Sequence, residues 1–288
     1  MNIIIDGKEV AKRIKENLKE ECSELKKQGI VPKLAVIMCG NNEASKVYVR
    51  NKSRACIEVG VEYEEYFLED NITQQELNSK IEELNSDNSI SGILLQSPIP
   101  QHLDINEAFK KINFEKDVDG FTPESIGRLT IGDDTFVSCT PYGIIKLLEY
   151  YQIEIEGKNA VIVGRSNIVG KPLIQCLLNK NATVTVCHSK TKNIEEFTKK
   201  ADILIVAIGR PNYITKKMVK EGATVIDVGI NRLENGKLCG DVDYENVKEK
   251  TSFITPVPGG VGPVTIAMLM NNVIKAIKIG RDRDDRKN

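Results

Sequence analysis

The sequence predicts an α/β protein of two domains, an N-terminal α/β domain and a C-terminal Rossmann-like domain, joined by helices with the cleft between them. Three observations carry this expectation. Segments with helical apolar spacing alternate with short apolar runs along most of the chain. One of those runs, Ala160–Val163, passes directly into a glycine-flanked turn and then a helix. The alternation also breaks once, over residues 113–140. Strand after helix after strand implies parallel βαβ units with right-handed crossovers.

The elements follow in order. Val10, Ile14, Leu18, Cys22 and Leu25 recur at helical spacing, and Gly29 closes that helix. Leu34–Met38 reads as a short buried strand ending at Cys39-Gly40. Residues 42–59 form a second helix with Gly60 past its end, and Val61–Phe67 alternates as a strand. Thr73 and Glu76 make a capping box ahead of Leu77, Ile81 and Leu84, and Gly92–Leu95 is another buried strand. The stretch NFEKDVDGFTPESIG is expected to run as loop. A helix from Pro141 to Tyr151 leads into a second block, with strands at Ala160–Val163, Thr183–Cys187, Ile203–Ala207 and Thr224–Val228. Asn235-Gly236 suggests a small hairpin with a type I′ turn. An apolar helix follows Pro263, from Thr265 to about Ile277, and the tail GRDRDDRKN is charged and expected to fray. The expected domains are therefore residues 1–140, with the helix of 263–280 returning to them, then 141–262, then a flexible tail over 281–288.

Composition narrows the function. Forty basic and 41 acidic residues give a net charge of -1, with no overall footprint of a nucleic-acid or membrane-surface binder. No apolar stretch approaches the roughly 20 residues of a membrane span. The apolar run near the start lacks a basic leader and a small-residue cleavage site, so it is not expected to be a signal peptide. Seven dispersed cysteines without a C-x-x-C pair read as reduced thiols of a cytoplasmic protein. The two histidines, His102 and His188, have no partners at ligand spacing, so no metal site is expected.

The nucleotide-binding signal is the run from Ala160 to Gly170. Gly164 permits a tight turn, Ser166 keeps the loop small beside a pyrophosphate, and Gly170 lets helix pack on strand. Pro172 suits a first helical turn, whose free N–H groups attract phosphate. The middle glycine of G-x-G-x-x-G is absent, so a tight turn without a ligand is the competing interpretation. The next strand ends in Cys187-His188-Ser189-Lys190, where an NAD site would carry an acid for the ribose hydroxyls. Arg165, Ser189 and Lys190 would instead attract a 2′-phosphate, which favours NADP over NAD.

A second constellation lies upstream. Tyr48 and Lys52 are four residues apart on one helix face, with the small Ala44 and Cys56 continuing it. An isolated pair of this kind is usually a surface lysine beside a half-buried tyrosine. Here Gln96 sits at the carboxyl end of a parallel strand, where α/β sites lie, and Asp117 and Asp119 stand beside a glycine, Gly120, in the irregular stretch. Two further loops, Ser138–Pro141 and Thr255–Pro263, fall where the domains should meet. The second is stiffened by prolines, while Gly259 and Gly260 permit close backbone approach to a ligand.

The ordered set ASKVYVRNK, GILLQSPIP, KDVDGF, CTPYG, VGRSNIVGKP, CHSKT, DVGIN and TPVPGGVGP closely resembles the bifunctional methylenetetrahydrofolate dehydrogenase/methenyltetrahydrofolate cyclohydrolase family over all but the tail. The resemblance implies that Tyr48, Lys52, Gln96 and Asp119 line a folate pocket, with Lys52 its central catalytic group. It places Arg165, Ser166 and Ser189 at the NADP phosphates, and Ile230 with Pro258, Gly259 and Gly260 near nicotinamide and folate. It also implies a homodimer, with one-carbon tetrahydrofolates as the small-molecule partners. Three departures, Ser97 for a usual Leu, Glu124 for a common Asn and Val264 for a usual Met, bear on pocket shape and substrate affinity.

The implied chemistry makes unequal demands. Hydride loss from the methylene carbon needs alignment above all. Water attack on the resulting methenyl cation gains from a general base, which Lys52 can be only with a pKa well below about 10.4. Burial beside Tyr48, a cationic substrate and nearby Arg50 or Arg54 would each push it down. Gln96 can hold the amine, and Asp119 can accept from the amino-pyrimidine donors of the pterin. Three alternatives stand beside this. A short-chain dehydrogenase also uses Tyr-x-x-x-Lys, but after its nucleotide fold. A shikimate-type dehydrogenase has a similar plan but lacks the KDVDGF and PGGVGP loops. A catalytically silent NADP sensor would have no reason to keep Tyr48, Lys52, Gln96 and Asp119 together.

Overall fold

The computed structural model describes residues 2–287; the side chains of Ala44 and of residues 281–287 lie outside that description. The chain runs β1 (Ile3–Ile4), α1 (Gly7–Lys27), β2 (Lys33–Cys39), α2 (Glu43–Val59), β3 (Glu62–Leu68), α3 (Gln74–Ser86), β4 (Gly92–Gln96), α4 (Ile105–Lys111), α5 (Pro123–Ile131) and α6 (Cys139–Tyr150). It continues through β5 (Asn159–Val163), α7 (Gly170–Leu178), β6 (Thr183–Cys187), α8 (Ile194–Thr198), β7 (Ile203–Val206), β8 (Thr224–Asp227), β9 (Asn231–Arg232), β10 (Leu238–Cys239), α9 (Tyr244–Val247), β11 (Phe253–Ile254) and α10 (Val261–Lys287). The α/β class expected from the sequence is the class observed.

The fold divides into two compact units whose boundaries fall at Lys12/Arg13, Cys139/Thr140 and Thr265/Ile266, inside or at the start of α1, α6 and α10. The first unit comprises residues 1–12 and 140–265, the second residues 13–139 and 266–288. Residues 1–12 thus group with the Rossmann-like block, because β1 pairs in parallel with β11, Ile3 opposite Phe253 and Ile4 opposite Ile254. Neither of these two-residue strands carries enough periodicity to be read from sequence.

The first unit is built on a six-stranded sheet of order β1-β11-β8-β7-β5-β6. All its pairings are parallel. The chain moves from β5 outward to β6, then crosses back to β7 on the other flank, so β5 marks the point where strand order reverses. Val161, Val163, Leu204, Val206 and Val225 pack with Met218, Val219 and Val247 into its core. The hairpin at Asn235-Gly236 is present as antiparallel β9 and β10, but its turn is not type I′. Only Gly236 has positive φ, at 79°, and Leu233 donates to Lys237 O across three intervening residues, the form of a three-residue loop with glycine at its left-handed position.

The second unit holds a three-stranded parallel sheet of order β3-β2-β4. Ala35, Ile37 and Cys39 of β2 and Ile93 and Leu95 of β4 point to one face, where Leu77, Ile81 and Leu84 of α3 cover them. The expected capping box is present, Thr73 Oγ1 accepting from Glu76 N while Glu76 accepts from Thr73 N. The stretch expected to be loop instead contains a 3₁₀ turn at Phe114–Lys116 and the helix α5. Thr122 caps α5 and Pro123 occupies its first turn, a start signal that the preceding glycine and carboxylates obscured. The expected tail over 281–288 falls largely on residues whose side chains are outside the description, and the backbone of α10 is helical to Lys287.

Candidate functional site

In the second unit, α2 begins where Asn42 accepts from Ser45 N at 3.0 Å and ends where Gly60 turns left-handed at φ 92°. Between these ends Val49, Cys56 and Val59 are buried, while Tyr48 stays 44% exposed one turn before the half-buried Lys52. Lys52 Nζ donates to Gln96 Oε1 at 3.0 Å. Gln96 is 7% exposed and its amide also donates to Ser97 O at 2.6 Å. The register of β4 against β2, Met38 opposite Gln96, puts this glutamine at the carboxyl edge of the sheet. Lys52 and Gln96 therefore meet as the sequence expectation had them.

Burial pushes the Lys52 ammonium below its usual pKa, while Asp119, Cys139 and Cys56 pull it back upward. Arg50 and Arg54, expected to help depress it, are exposed, and burial is the cause that lowers it. Asp119 is lifted to about 6, mainly by burial and further by Asp117, against the favourable charge of Lys52 and the Cys139 thiol. That thiol donates toward Asp119 Oδ1 at 3.9 Å and toward Val118 O at 3.5 Å.

The two loop carboxylates have different work. Asp117, 1% exposed, accepts from Phe121 N at 3.0 Å, Thr122 N at 2.8 Å and Ser125 Oγ at 2.6 Å. It ties the loop to the start of α5, leaving Asp119 as the carboxylate beside Lys52. Asn272 of α10, fully buried, donates to Val118 O at 2.8 Å and Val137 O at 3.0 Å and so clamps both flanks of that loop. Sequence reasoning missed Asn272 because only the fold brings it across 154 residues of chain. It also missed Ser45, whose buried Oγ has no partner and which precedes Tyr48 on α2 by three residues. The i, i+3, i+7 spacing of Ser45, Tyr48 and Lys52 was the available signal.

Of the departures from the family pattern, Glu124 is exposed on α5 and pairs with Arg128 at 2.7 Å. Ser97 is also exposed. Val264 is fully buried, its Cγ1 3.3 Å from where a Cβ on Gly143 would lie.

The first unit carries the turn from β5 into α7. Gly164 adopts φ 127°, and a Cβ there would meet Ala207 O at 2.3 Å. A Cβ on Gly170 would meet Gly164 O at 2.5 Å, so both glycines are required by the close passage of the turn beneath β7 and α7. Ser166 Oγ accepts from Val169 N at 3.2 Å and Gly170 N at 3.4 Å, drawing the loop against the start of α7. Arg165 and Ser166 are exposed, as are Ser189 and Lys190 beyond β6, where no carboxylate stands. Lys190 N donates to His188 Nδ1 and His188 N to Thr191 Oγ1, holding that exit as a tight turn. The donor set at the switch point is cationic and hydroxylic, which fits a dinucleotide with a 2′-phosphate.

Ile230 is 51% exposed at the exit of β8. Pro258 is exposed and Gly259 half-buried, with φ 107°. Gly260 is buried, and its missing side chain accommodates Pro256 O at 2.6 Å, while a Cβ on Gly7 would meet Gly260 O. The smallness of Gly260 thus serves the loop's own folding. Among the described residues no three His, Cys, Asp or Glu side chains gather as metal ligands.

Comparison with known proteins gives two family matches. The tetrahydrofolate dehydrogenase/cyclohydrolase catalytic domain matches residues 5–119, and the NAD(P)-binding domain of the same family matches residues 138–281. The chain is 56% identical to the bifunctional protein FolD of Campylobacter hominis over 275 residues, 96% of this chain and 97% of the relative. The crystal structure of the bifunctional FolD methylenetetrahydrofolate dehydrogenase/cyclohydrolase of Campylobacter jejuni superposes with a TM-score of 0.96 at 52% identity, covering 96% of this chain and 99% of that one. The Trypanosoma brucei dehydrogenase-cyclohydrolase, solved with NADP and an inhibitor, gives 0.93 at 37% identity over 97% and 98%.

Proposed function

This chain belongs to the tetrahydrofolate dehydrogenase/cyclohydrolase family, and from that premise we propose how its own residues divide the family's two reactions. The enzyme oxidises 5,10-methylenetetrahydrofolate to 5,10-methenyltetrahydrofolate with NADP and hydrolyses that product to 10-formyltetrahydrofolate. Arg165, Ser189 and Lys190 hold the 2′-phosphate, and the turn of Gly164, Ser166 and Gly170 presents backbone N–H groups to the pyrophosphate. NADP, when bound, accepts a hydride from the methylene carbon. Ile230, Pro258, Gly259 and Gly260 flank the reacting rings. Tyr48, Lys52, Gln96 and Asp119 bind the folate, with the Asp119 carboxylate accepting from the pterin's amino-pyrimidine donors.

In the hydrolytic half, water attacks the methenyl carbon and the neutral amine of Lys52 takes its proton. The carbon–nitrogen bond then breaks as the new hydroxyl gives up its proton to become the formyl oxygen and the departing ring nitrogen takes up a proton, leaving the formyl group on the other nitrogen. Gln96 holds Lys52 Nζ toward the reacting carbon throughout. The observation that carries this reading is the Lys52–Gln96 bond at 3.0 Å, at a place where burial favours the uncharged amine. Its test is a spectrophotometric assay with methylenetetrahydrofolate and either NADP or NAD, following the methenyl product. A kcat/KM with NAD equal to that with NADP would remove the 2′-phosphate assignment.

The same reading extends to a homodimer in the cytoplasm. Ile57 on α2 is 75% exposed, Val47 55% and Phe67 on β3 49%, and β3 is an edge of its sheet. Such apolar surface beside an unpaired strand edge supports self-association through β3 and α2. Sedimentation of the wild type at the mass of two chains, and of Phe67→Glu at one, is the expected result. A wild-type monomer at micromolar concentration would end the dimer assignment. Seven free cysteines suit a reducing compartment.

A further inference from the structure

Two carboxylates in the first unit are buried and form no ion pair among the described residues. Asp227, at the end of β8, is 3% exposed, and Asp241, just past β10, is 0%. Asp241 Oδ2 accepts from Ile208 N at 2.7 Å and Gly209 N at 3.0 Å. Its Oδ1 accepts from Arg210 N at 2.8 Å and Asn231 Nδ2 at 2.9 Å. Asp227 Oδ1 accepts from Gly229 N at 3.0 Å and Asp241 N at 2.9 Å, and its Oδ2 from Val242 N at 2.9 Å. Asp227 N donates in turn to Thr255 Oγ1 at 2.7 Å, at the start of the TPVPGGVGP loop. The chain keeps Gly229 and Gly240 where the carboxylates pass. A Cβ at 229 would meet Asp241 Cγ at 2.3 Å, and one at 240 would fall on Asp227 Oδ2.

The burial of unpaired charge is costly, and the N–H groups of Gly209 and Arg210 do not need the Asp241 carboxylate to be satisfied. Gly209 and Arg210 are exposed, so water can reach that segment and satisfy its amides. What the carboxylate adds is a single geometry. Three successive N–H groups are turned inward onto one side chain, and Asn231 ties the strand exit carrying Ile230 to the same point. Both segments lie beyond the carboxyl ends of β7 and β8, across β5 from the β6 exit with its Ser189 and Lys190. A dinucleotide lying across the switch point puts its adenosine half on the β6 side and its other half on the β7–β8 side.

We infer that Asp241, supported by Asp227, is a positioning residue for the nicotinamide half of the dinucleotide: it fixes the Ile208–Arg210 and Gly229–Asn231 segments against which that half rests. The inference deepens the NADP reading and rests on it. In Asp241→Asn either amide orientation turns an NH₂ group toward two N–H donors, so half the contacts become repulsive while size is kept.

The test is calorimetric titration of the full-length chain with NADP and with adenosine 2′,5′-bisphosphate, which carries the adenosine half alone. Wild-type binding of both tests the cofactor reading, and binding of neither overturns that reading independently of the role of Asp241. For Asp241→Asn, NADP binding is expected to weaken by about tenfold or more, the two segments having lost half of the contacts that fix their geometry, while the bisphosphate keeps its affinity within about twofold. The KM for NADP should rise by a larger factor than kcat falls. Equal weakening of both ligands marks a merely structural carboxylate and overturns the inference, as does no weakening of either. If circular dichroism finds Asp241→Asn unfolded, Asn231→Ala takes its place, removing one donor from Oδ1. It is expected to weaken NADP about threefold and the bisphosphate not at all, and the same two outcomes overturn the inference.

Discussion

At the scale of single residues, the two chemistries separate at Lys52. Lys52→Met keeps an apolar stem of similar length and removes the amine that donates to Gln96 Oε1. Hydride transfer, which needs placement and no base, is expected to persist at a reduced rate. Cyclohydrolase turnover should fall by about 10²–10⁴-fold, the usual contribution of a positioned base, and the methenyl compound should accumulate in solution. Equal loss of both activities would make Lys52 a positioning group instead. Asp119 adds a pH dependence. Its pKa of about 6 in the folded chain lies above the roughly 3.9 of an unfolded aspartate, so its contribution to stability is complete at low pH and is lost as pH rises through 6. Ligand binding runs the other way, because the pterin donors need the carboxylate. The kcat/KM for folate should therefore decline as pH falls through about 6, and Asp119→Asn should lower it at neutral pH and flatten that limb. An unchanged limb in the variant would assign it to another group. Tyr48, Lys52, Gln96 and Asp119 were legible because each lies in a short motif whose spacing or strand-end position has a physical meaning. Asn272 and the distinct task of Asp117 were not, since both depend on contacts that no local pattern encodes.

At the scale of elements, α2 and α6 were read to within about two residues, whereas the last helix, expected from Thr265 to about Ile277, runs from Val261 to Lys287, and the two-residue strands β1 and β11 were lost. Thr73 and Gly60 announced their helix ends because capping is a local act. β1 and β11 went unseen because two residues have no period, and they exist only through each other's hydrogen bonds. The Asn235 turn was misjudged for a related reason. An Asn-Gly pair suits two turn types, and strand register, set elsewhere, chose the longer one. The β5–α7 turn was legible in full, and it supports a direct test. Arg165→Ala removes a cation exposed beside the switch point and should raise the KM for NADP by about tenfold or more, as the loss of a charge-assisted bond implies. The KM for NAD should change by less than about twofold, since NAD has no 2′-phosphate to lose. A parallel loss with both dinucleotides would place Arg165 at the pyrophosphate instead.

At the scale of the whole molecule, cofactor binding is linked to unfolding. A ligand present at 100 times its dissociation constant adds about 2.7 kcal/mol to the state that binds it, which for a chain of this size is a rise of a few degrees in Tm. NADP at millimolar concentration should produce that rise in a thermal melt, and NAD at the same concentration a clearly smaller one; identical shifts would contradict the preference. The division of the chain was the least legible property at this scale, because three of its crossings fall within or at the start of helices, where no change of composition marks them.

That threading has a consequence for how the protein comes into being. Asn272 holds the carbonyls of Val118 and Val137, on either side of the Asp119 loop, from 154 and 135 residues further along the chain. During synthesis the segment from Arg13 to Cys139 leaves the ribosome long before α10 does, and it must wait with those two carbonyls unmet and the surface for α10 bare. At roughly 5–20 residues per second that wait lasts on the order of ten seconds or more. A nascent chain in that interval is a natural client for a chaperone, and a fragment ended at residue 139 would remain one permanently.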